Sequence, residues 1–302
     1  MHQIANGNAE KLLDMSLEQL KEQISNAKED NNLQHAYFKE KVETIRNTIE
    51  ENKEAVKLLE QFHQPVSIGN LAATSEYFTG NKNVFKELQK KADNLTEEQK
   101  ETVDALIEDL STSIEDADSL QEKYKQLEEK AEELLNKQYE ELTLSSEEIK
   151  GLQLFGKAIA LTGSMSRQQH YEIPIVTGDT ITNISLTIRK GSNEKGKLQI
   201  TMESEKYGRV EIEASIKEQA INGVILCETK EGMEILKGCR KEMIASLENL
   251  GLDVKQLSFA ISGKALEGLK TKEDSEIDKT ETKVLYQTAK VFVENLKAMQ
   301  TE

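Results

Sequence analysis

With 302 residues, 37% of them hydrophobic and 31% charged, the chain can build a core, though a lean one without Trp, and its length suggests two units. Its 39 Lys and Arg against 55 Asp and Glu leave a net charge of −16, which repels nucleic-acid phosphates and anionic lipid, so nucleic-acid binding and membrane insertion are not expected. No apolar run approaches the roughly 18 residues of a membrane span, Met1–Leu20 lacks the basic-then-apolar pattern of a secretory signal, and two cysteines are too few for a disulfide scaffold, so a cytoplasmic chain is expected.

The charge divides the chain. Residues 1–150 carry 33 acidic and 18 basic side chains, whereas residues 151–302 carry 22 and 21. Only three of the 16 glycines precede residue 151. A Gly-poor, Glu/Lys/Leu-rich half followed by a Gly-punctuated, Ile/Val/Thr-richer half predicts the α+β class. The expected divisions are an acidic helical region over 1–150, a connecting helix or linker over 151–170, an α+β domain over 171–263, and a polar linker with a terminal helix over 264–302.

In chain order, Ser16 with Gln19, Thr96 with Gln99 and Ser145 with Glu148 fit the capping box, in which a hydroxyl and a carboxyl or amide satisfy the first free N–H groups of a helix. Apolar residues recur helically from Leu20 to Leu59, and Pro65 ends that run. Leu71–Phe78 and Val84–Leu88 read as two short helices around the Thr79-Gly80-Asn81 turn. One long helix is expected next. Its seam runs Val103, Leu106, Leu110, Ile114, Ala117, Leu120, Tyr124, Leu127, Ala131 and Leu134, at the alternating threes and fours of a helical hairpin or coiled coil. The seam is expected to pack on the 17–62 helix, with self-association or a partner chain as the sharper alternative.

After residue 170 the period changes to two. Strands are expected over 181–188, 198–202, 210–214, 221–227 and 254–261. Residues 190–197 have the composition of a hairpin loop, and residues 217–223 join the next pair, with Asn222-Gly223 as the strongest turn signal. Met233 to Leu247 steps at helical spacing, with Gly251 at the C-cap. The sum is a mostly antiparallel sheet of about five strands packed with one helix, followed by a terminal helix over Val284–Met299.

Motifs for chemistry are sparse. Gly191 to Lys197 fits G-x-x-x-x-G-K, but Leu198 stands where Ser or Thr should hold Mg²⁺, and a strand follows where a helix should. His2, His35, His63 and His170 are scattered, and neither H-E-x-x-H nor C-x-x-C occurs. Cys227 and Cys239 read as apolar thiols, and Asp116 and Asp118 as solvated charge on an acidic helix. No Ser, Cys or His stands in a recognisable nucleophile motif. Neither an enzyme, nor a cofactor, nor a metal is expected.

Residues 196–261, within a stretch of about 172–263, resemble the carboxy-terminal domain of bacterial flagellar hook-length control proteins. The matching segments are Gly196 to Met202, Glu205 to Ile212 with Gly208 opening the second strand, Asn222 to Leu226, Leu236 to Arg240, and Leu247 to Val254. Order and spacing carry the likeness. The segment from Pro65 through Leu88 also resembles helical units of an uncharacterised clostridial family that ends in this domain. The resemblance implies a bacterial regulator of type III flagellar export. It would bind the cytoplasmic domain of the export gate and switch substrate class without covalent chemistry, and could itself pass through the flagellar apparatus. By position, Val210, Ile212, Met243 and Leu247 would form the switch region, with core packing expected ahead of direct contact. Two positions depart from the family, Ser204 in place of proline and Tyr207 in place of leucine, and the Pro- and Gln-rich ruler is missing. The alternative is a helical adaptor or structural protein that binds or holds a partner through residues 1–150.

Overall fold

The computed structural model describes residue 19 and residues 52–80, 82–93, 96–140, 144–178, 180–190, 195–262 and 282–301. Among them are nine helices and six strands: α1 (Lys53–Gln61), α2 (Ile68–Tyr77), α3 (Val84–Ala92), α4 (Glu97–Thr112), α5 (Ala117–Tyr139), α6 (Ser146–Ser166), β1 (His170–Thr177), β2 (Thr180–Lys190), β3 (Lys195–Ser204), β4 (Gly208–Lys217), β5 (Ala220–Cys227), α7 (Lys230–Gly238), α8 (Arg240–Asn249), β6 (Asp253–Ile261) and α9 (Thr282–Thr301). This is the α+β class expected. The chain forms two compact units, one of Met1–Leu88 with Ala131–Leu161, the other of Gln89–Lys130 with Thr162–Glu302. Residues 89–130, inside the acidic half of the sequence, therefore group with the sheet.

In the first unit, α1 buries Ala55 and Leu59 and packs on α2. It ends at Gln61, and His63 takes a positive φ of 49° before Pro65. Ser67 caps α2, its hydroxyl accepting from the Asn70 N–H at 3.1 Å. Tyr77 and Phe155 are buried with ring centroids 6.4 Å apart. The Ser145 capping box forms in full: Ser145 Oγ accepts from the Glu148 N–H at 3.2 Å, and Glu148 Oε2 accepts from the Ser145 N–H at 2.7 Å. Thr96 stands at the N-cap of α4 without a side-chain capping bond, and the Ser16 box and most of the expected 17–62 helix lie outside the described residues.

The expected long helix is two. It breaks between Thr112 and Ala117, where Asp116 Oδ1 accepts from the Ser119 N–H at 2.8 Å and starts α5 afresh. Those bonds hold the Asp116 carboxyl below its usual range, so it is a capping group rather than idle surface charge. The seam residues Val103, Leu106, Leu110, Ile114, Leu120, Tyr124, Leu127, Ala131 and Leu134 are all buried across the break.

The sheet has the order β1-β2-β3-β4-β5-β6, antiparallel from β1 to β5, with β6 parallel to β5. Cross-strand pairs set its faces. Tyr171 opposes Leu186, Leu186 opposes Ile200, Ile200 opposes Ile212, and Ile212 opposes Ile225. All five are buried, so one face is apolar from β1 to β5. Helix α9 lies on this face. Tyr286 Oη is 2.7 Å from Tyr171 Oη, and Gln300 Nε2 reaches Met202 Sδ at 3.5 Å. Leu285 approaches Gly196 so closely that a Cβ there would lie 2.6 Å from its terminal carbons. The opposite face carries His170, Glu172, Ser185, Thr187, Gln199, Thr201, Glu211 and Glu213.

Three further expectations need correcting. A sixth strand, β1, precedes the five that the alternation predicts; Pro174 is tolerated because β1 is an edge. The helix expected over 233–247 is broken at Cys239 into α7 and α8. Asn222-Gly223 is not a turn. The β4–β5 turn is Glu218-Gln219, with Glu218 at φ 56°, while Gly223 sits in β5 where a Cβ would lie 2.9 Å from Leu257 Cδ1.

Candidate interaction site

The residues matched by the resemblance run through β3, β4, β5, α7, α8 and β6, and a clip of hydrogen bonds joins one end of them. Glu205–Tyr207 turn the chain between β3 and β4, and Gly208 enters β4 at φ 69°. Only glycine takes that conformation without strain, and a Cβ there would lie 2.5 Å from Glu228 Oε2. Ser204 Oγ accepts from the Tyr207 N–H at 3.2 Å. The Tyr207 carbonyl accepts from Thr229 Oγ1 at 2.9 Å, and that hydroxyl in turn accepts from the Gly232 N–H at 3.2 Å as the cap of α7. Glu228 Oε2 accepts from the Arg209 N–H at 2.8 Å. Burial raises the Glu203 carboxyl against the opposing pull of Arg209, whose guanidinium also meets Glu211 at 2.6 Å.

Ser204 and Tyr207, the two positions at which the resemblance departs, both lie inside this clip. Ser204 supplies the acceptor that holds the turn. Tyr207 is buried, and a Cβ at Gly232 would lie 3.1 Å from its Cβ. At the other end of the segment, α8 closes with a Schellman motif. The Leu252 N–H donates to the Leu247 carbonyl at 3.2 Å, the Gly251 N–H to Glu248 at 2.9 Å, and Gly251 takes φ 81°.

Val210, Ile212, Met243 and Leu247 are each fully buried. Val210 lies between Met202 and Cys227 across the strands, and Ile212 between Ile200 and Ile225. Met243 and Leu247 stand one turn apart on α8, which packs on β6 and α9. The helical pair is thus set over the sheet edge, two strands from β4. Glu205, Lys206, Glu228 and Lys230 in the clip and Lys241 and Glu242 on α8 are exposed.

Cys227 is buried in β5, which pushes its thiol up to about 11, while Cys239 is half-buried at the α7–α8 break. No group of three or more His, Cys, Asp or Glu able to hold a metal ion occurs among the described residues. His63 lies in the turn after α1 and His170 opens β1, whereas His2, His35 and residues 191–194 fall outside the described residues. Leu198 is buried within β3. Among the described residues no helix is long and apolar enough to cross a membrane. No family model, curated protein or solved structure matches this chain.

Proposed function

We propose that this chain is a hook-length-control-like regulator of bacterial flagellar export, acting in the cytoplasm by binding the export gate's cytoplasmic domain. The observation that supports the reading is the order of elements through residues 195–261. A strand, a tight turn, a strand opening on glycine, a third strand, helical segments and an exit strand follow each other in the order of the segments that carry the resemblance. The task is binding without covalent chemistry. With Val210, Ile212, Met243 and Leu247 inside the core, their role is to hold the shape of the clip and of α8, and the exposed groups around them meet the partner. Calorimetric titration of the full chain with the cognate gate domain should give saturable heat at micromolar affinity or better. Absence of heat, together with normal hooks and filaments in a deletion strain, would remove the reading.

A second reading, a helical adaptor, is favoured by two large apolar side chains left exposed in the first unit, Tyr139 on α5 and Ile149 on α6. Sedimentation of the full chain and of a Tyr139→Ser, Ile149→Ser variant separates the two. Self-association lost in the variant supports the adaptor, and a monomer in both cases removes it.

A further inference from the structure

On the polar face of the sheet, the β1–β2 register sets His170 opposite Thr187 and Glu172 opposite Ser185. Thr187 Oγ1 lies 2.8 Å from His170 Nδ1, His170 Nε2 lies 3.2 Å from Glu172 Oε1, and Ser185 Oγ donates to the same oxygen at 2.6 Å. The His170 and Glu172 side chains are 8% and 10% exposed, while Ser185 and Thr187 are half-buried. Hydrogen-bond capacity orders the chain of contacts. A carboxylate can only accept, so Glu172 accepts hydrogen bonds from the Ser185 hydroxyl and from His170 Nε2–H. In the neutral imidazole Nδ1 then carries the lone pair, and the Thr187 hydroxyl donates to it. A hydroxyl on a base, the base on a carboxylate, and the carboxylate fixed by a second hydroxyl make up the arrangement that activates an oxygen nucleophile. Two paired strands hold all four groups.

We propose that Thr187 is an acyl-acceptor site, activated by His170 and oriented through Glu172 and Ser185, for small activated esters or thioesters. Thr187 Oγ1 attacks the carbonyl carbon and forms the new C–O bond while its proton passes to His170 Nδ1. The bond to the leaving group breaks, the electron pair departs on the alcohol or thiol oxygen or sulfur, and that atom takes the proton back from Nδ1. Glu172 stays ionised beside the transient imidazolium. The products are acyl-Thr187 and the free alcohol or thiol, with no change of oxidation state. This activity is independent of gate binding.

The test uses the full chain and p-nitrophenyl acetate. A burst of one equivalent of p-nitrophenolate is expected, with one acetyl group mapped by peptide mass spectrometry to Thr187 and removed by alkaline but not neutral hydroxylamine, as an oxygen ester is and a lysine amide is not. Thr187→Val, which keeps the shape, should abolish the burst, and His170→Gln should slow it by about 100-fold or more, the least expected of a lost general base. Far-UV circular dichroism checks that both variants fold. If either does not, Thr187→Ser must still be acetylated at residue 187. Acetylation confined to lysines, an unmodified Thr187, or an equal burst from Thr187→Val would overturn the proposal.

Discussion

Replacing Leu247 by Ala separates a core role from a contact role in the region the resemblance singles out. Leu247 is fully buried on α8, its carbonyl closes the Schellman motif, and its side chain stands one turn from Met243. Truncation of such a leucine costs about 2–5 kcal/mol, the lost burial plus the cavity left behind. Against a total stability of roughly 5–15 kcal/mol this is a large fraction, but one that leaves most molecules folded in the cold. With a urea slope of about 1–3 kcal/mol per molar, a loss near 3 kcal/mol lowers the unfolding midpoint by about 1–3 M at unchanged slope. The buried tyrosines Tyr124, Tyr171 and Tyr286 all belong to the same unit as Leu247, so near-ultraviolet circular dichroism reports its unfolding directly. Affinity for the gate domain, measured on the folded fraction, should stay within a few-fold of the parent. A variant with its midpoint unmoved but its affinity down tenfold would refute the reasoning, because the side chain would then be at the partner surface.

Three other outcomes follow from the same geometry. Gly208→Ala should destabilise the chain by about 1–2 kcal/mol from left-handed strain alone, with the Glu228 carboxylate adding to it, and urea midpoints check this. A thiol reagent at pH 8 should modify Cys239 first and Cys227 only on unfolding, because Cys227 is buried and its thiol pushed up to about 11; equal rates in the native protein would contradict that. Burial raises the Tyr124, Tyr171 and Tyr286 phenols, the last to about 12, so stability should be full below the ordinary tyrosine range and fall as pH rises through it. Tyr286→Phe should weaken that alkaline dependence in urea titrations from pH 9 upward.

Much of the fold is legible because one face of the sheet is wet. Where burial is one-sided, as at Ile184, Leu186 and Ile188 or Val210, Ile212 and Ala214, the alternation survives in the sequence and the strands are found. β1 is harder to read because Pro174 argues against a strand, and only its place at the edge makes the proline harmless. The seam from Val103 to Leu134 is real, yet periodicity alone is silent about Asp116, whose carboxylate restarts the helix. Asn222-Gly223 has local turn chemistry, but the side chain of Leu257, 34 residues on, decides that Gly223 lies in a strand. The four residues marked by resemblance are legible as core positions. The Thr187–His170–Glu172–Ser185 network is not, since it exists only in the pairing of β2 with β1, the strand the alternation leaves out.

Lys297 donates to the carbonyl and hydroxyl of Ser111 at 2.9 and 3.0 Å, joining the last turn of α4 to the end of α9. The two residues are 186 positions apart in the chain. Contacts of such separation close slowly, because the loop between them must lose its freedom before any contact is gained. On a ribosome, residue 111 emerges long before residue 297 is made, so the sheet unit cannot complete itself until α9 has been made. Until then the apolar face that α9 covers is open to water.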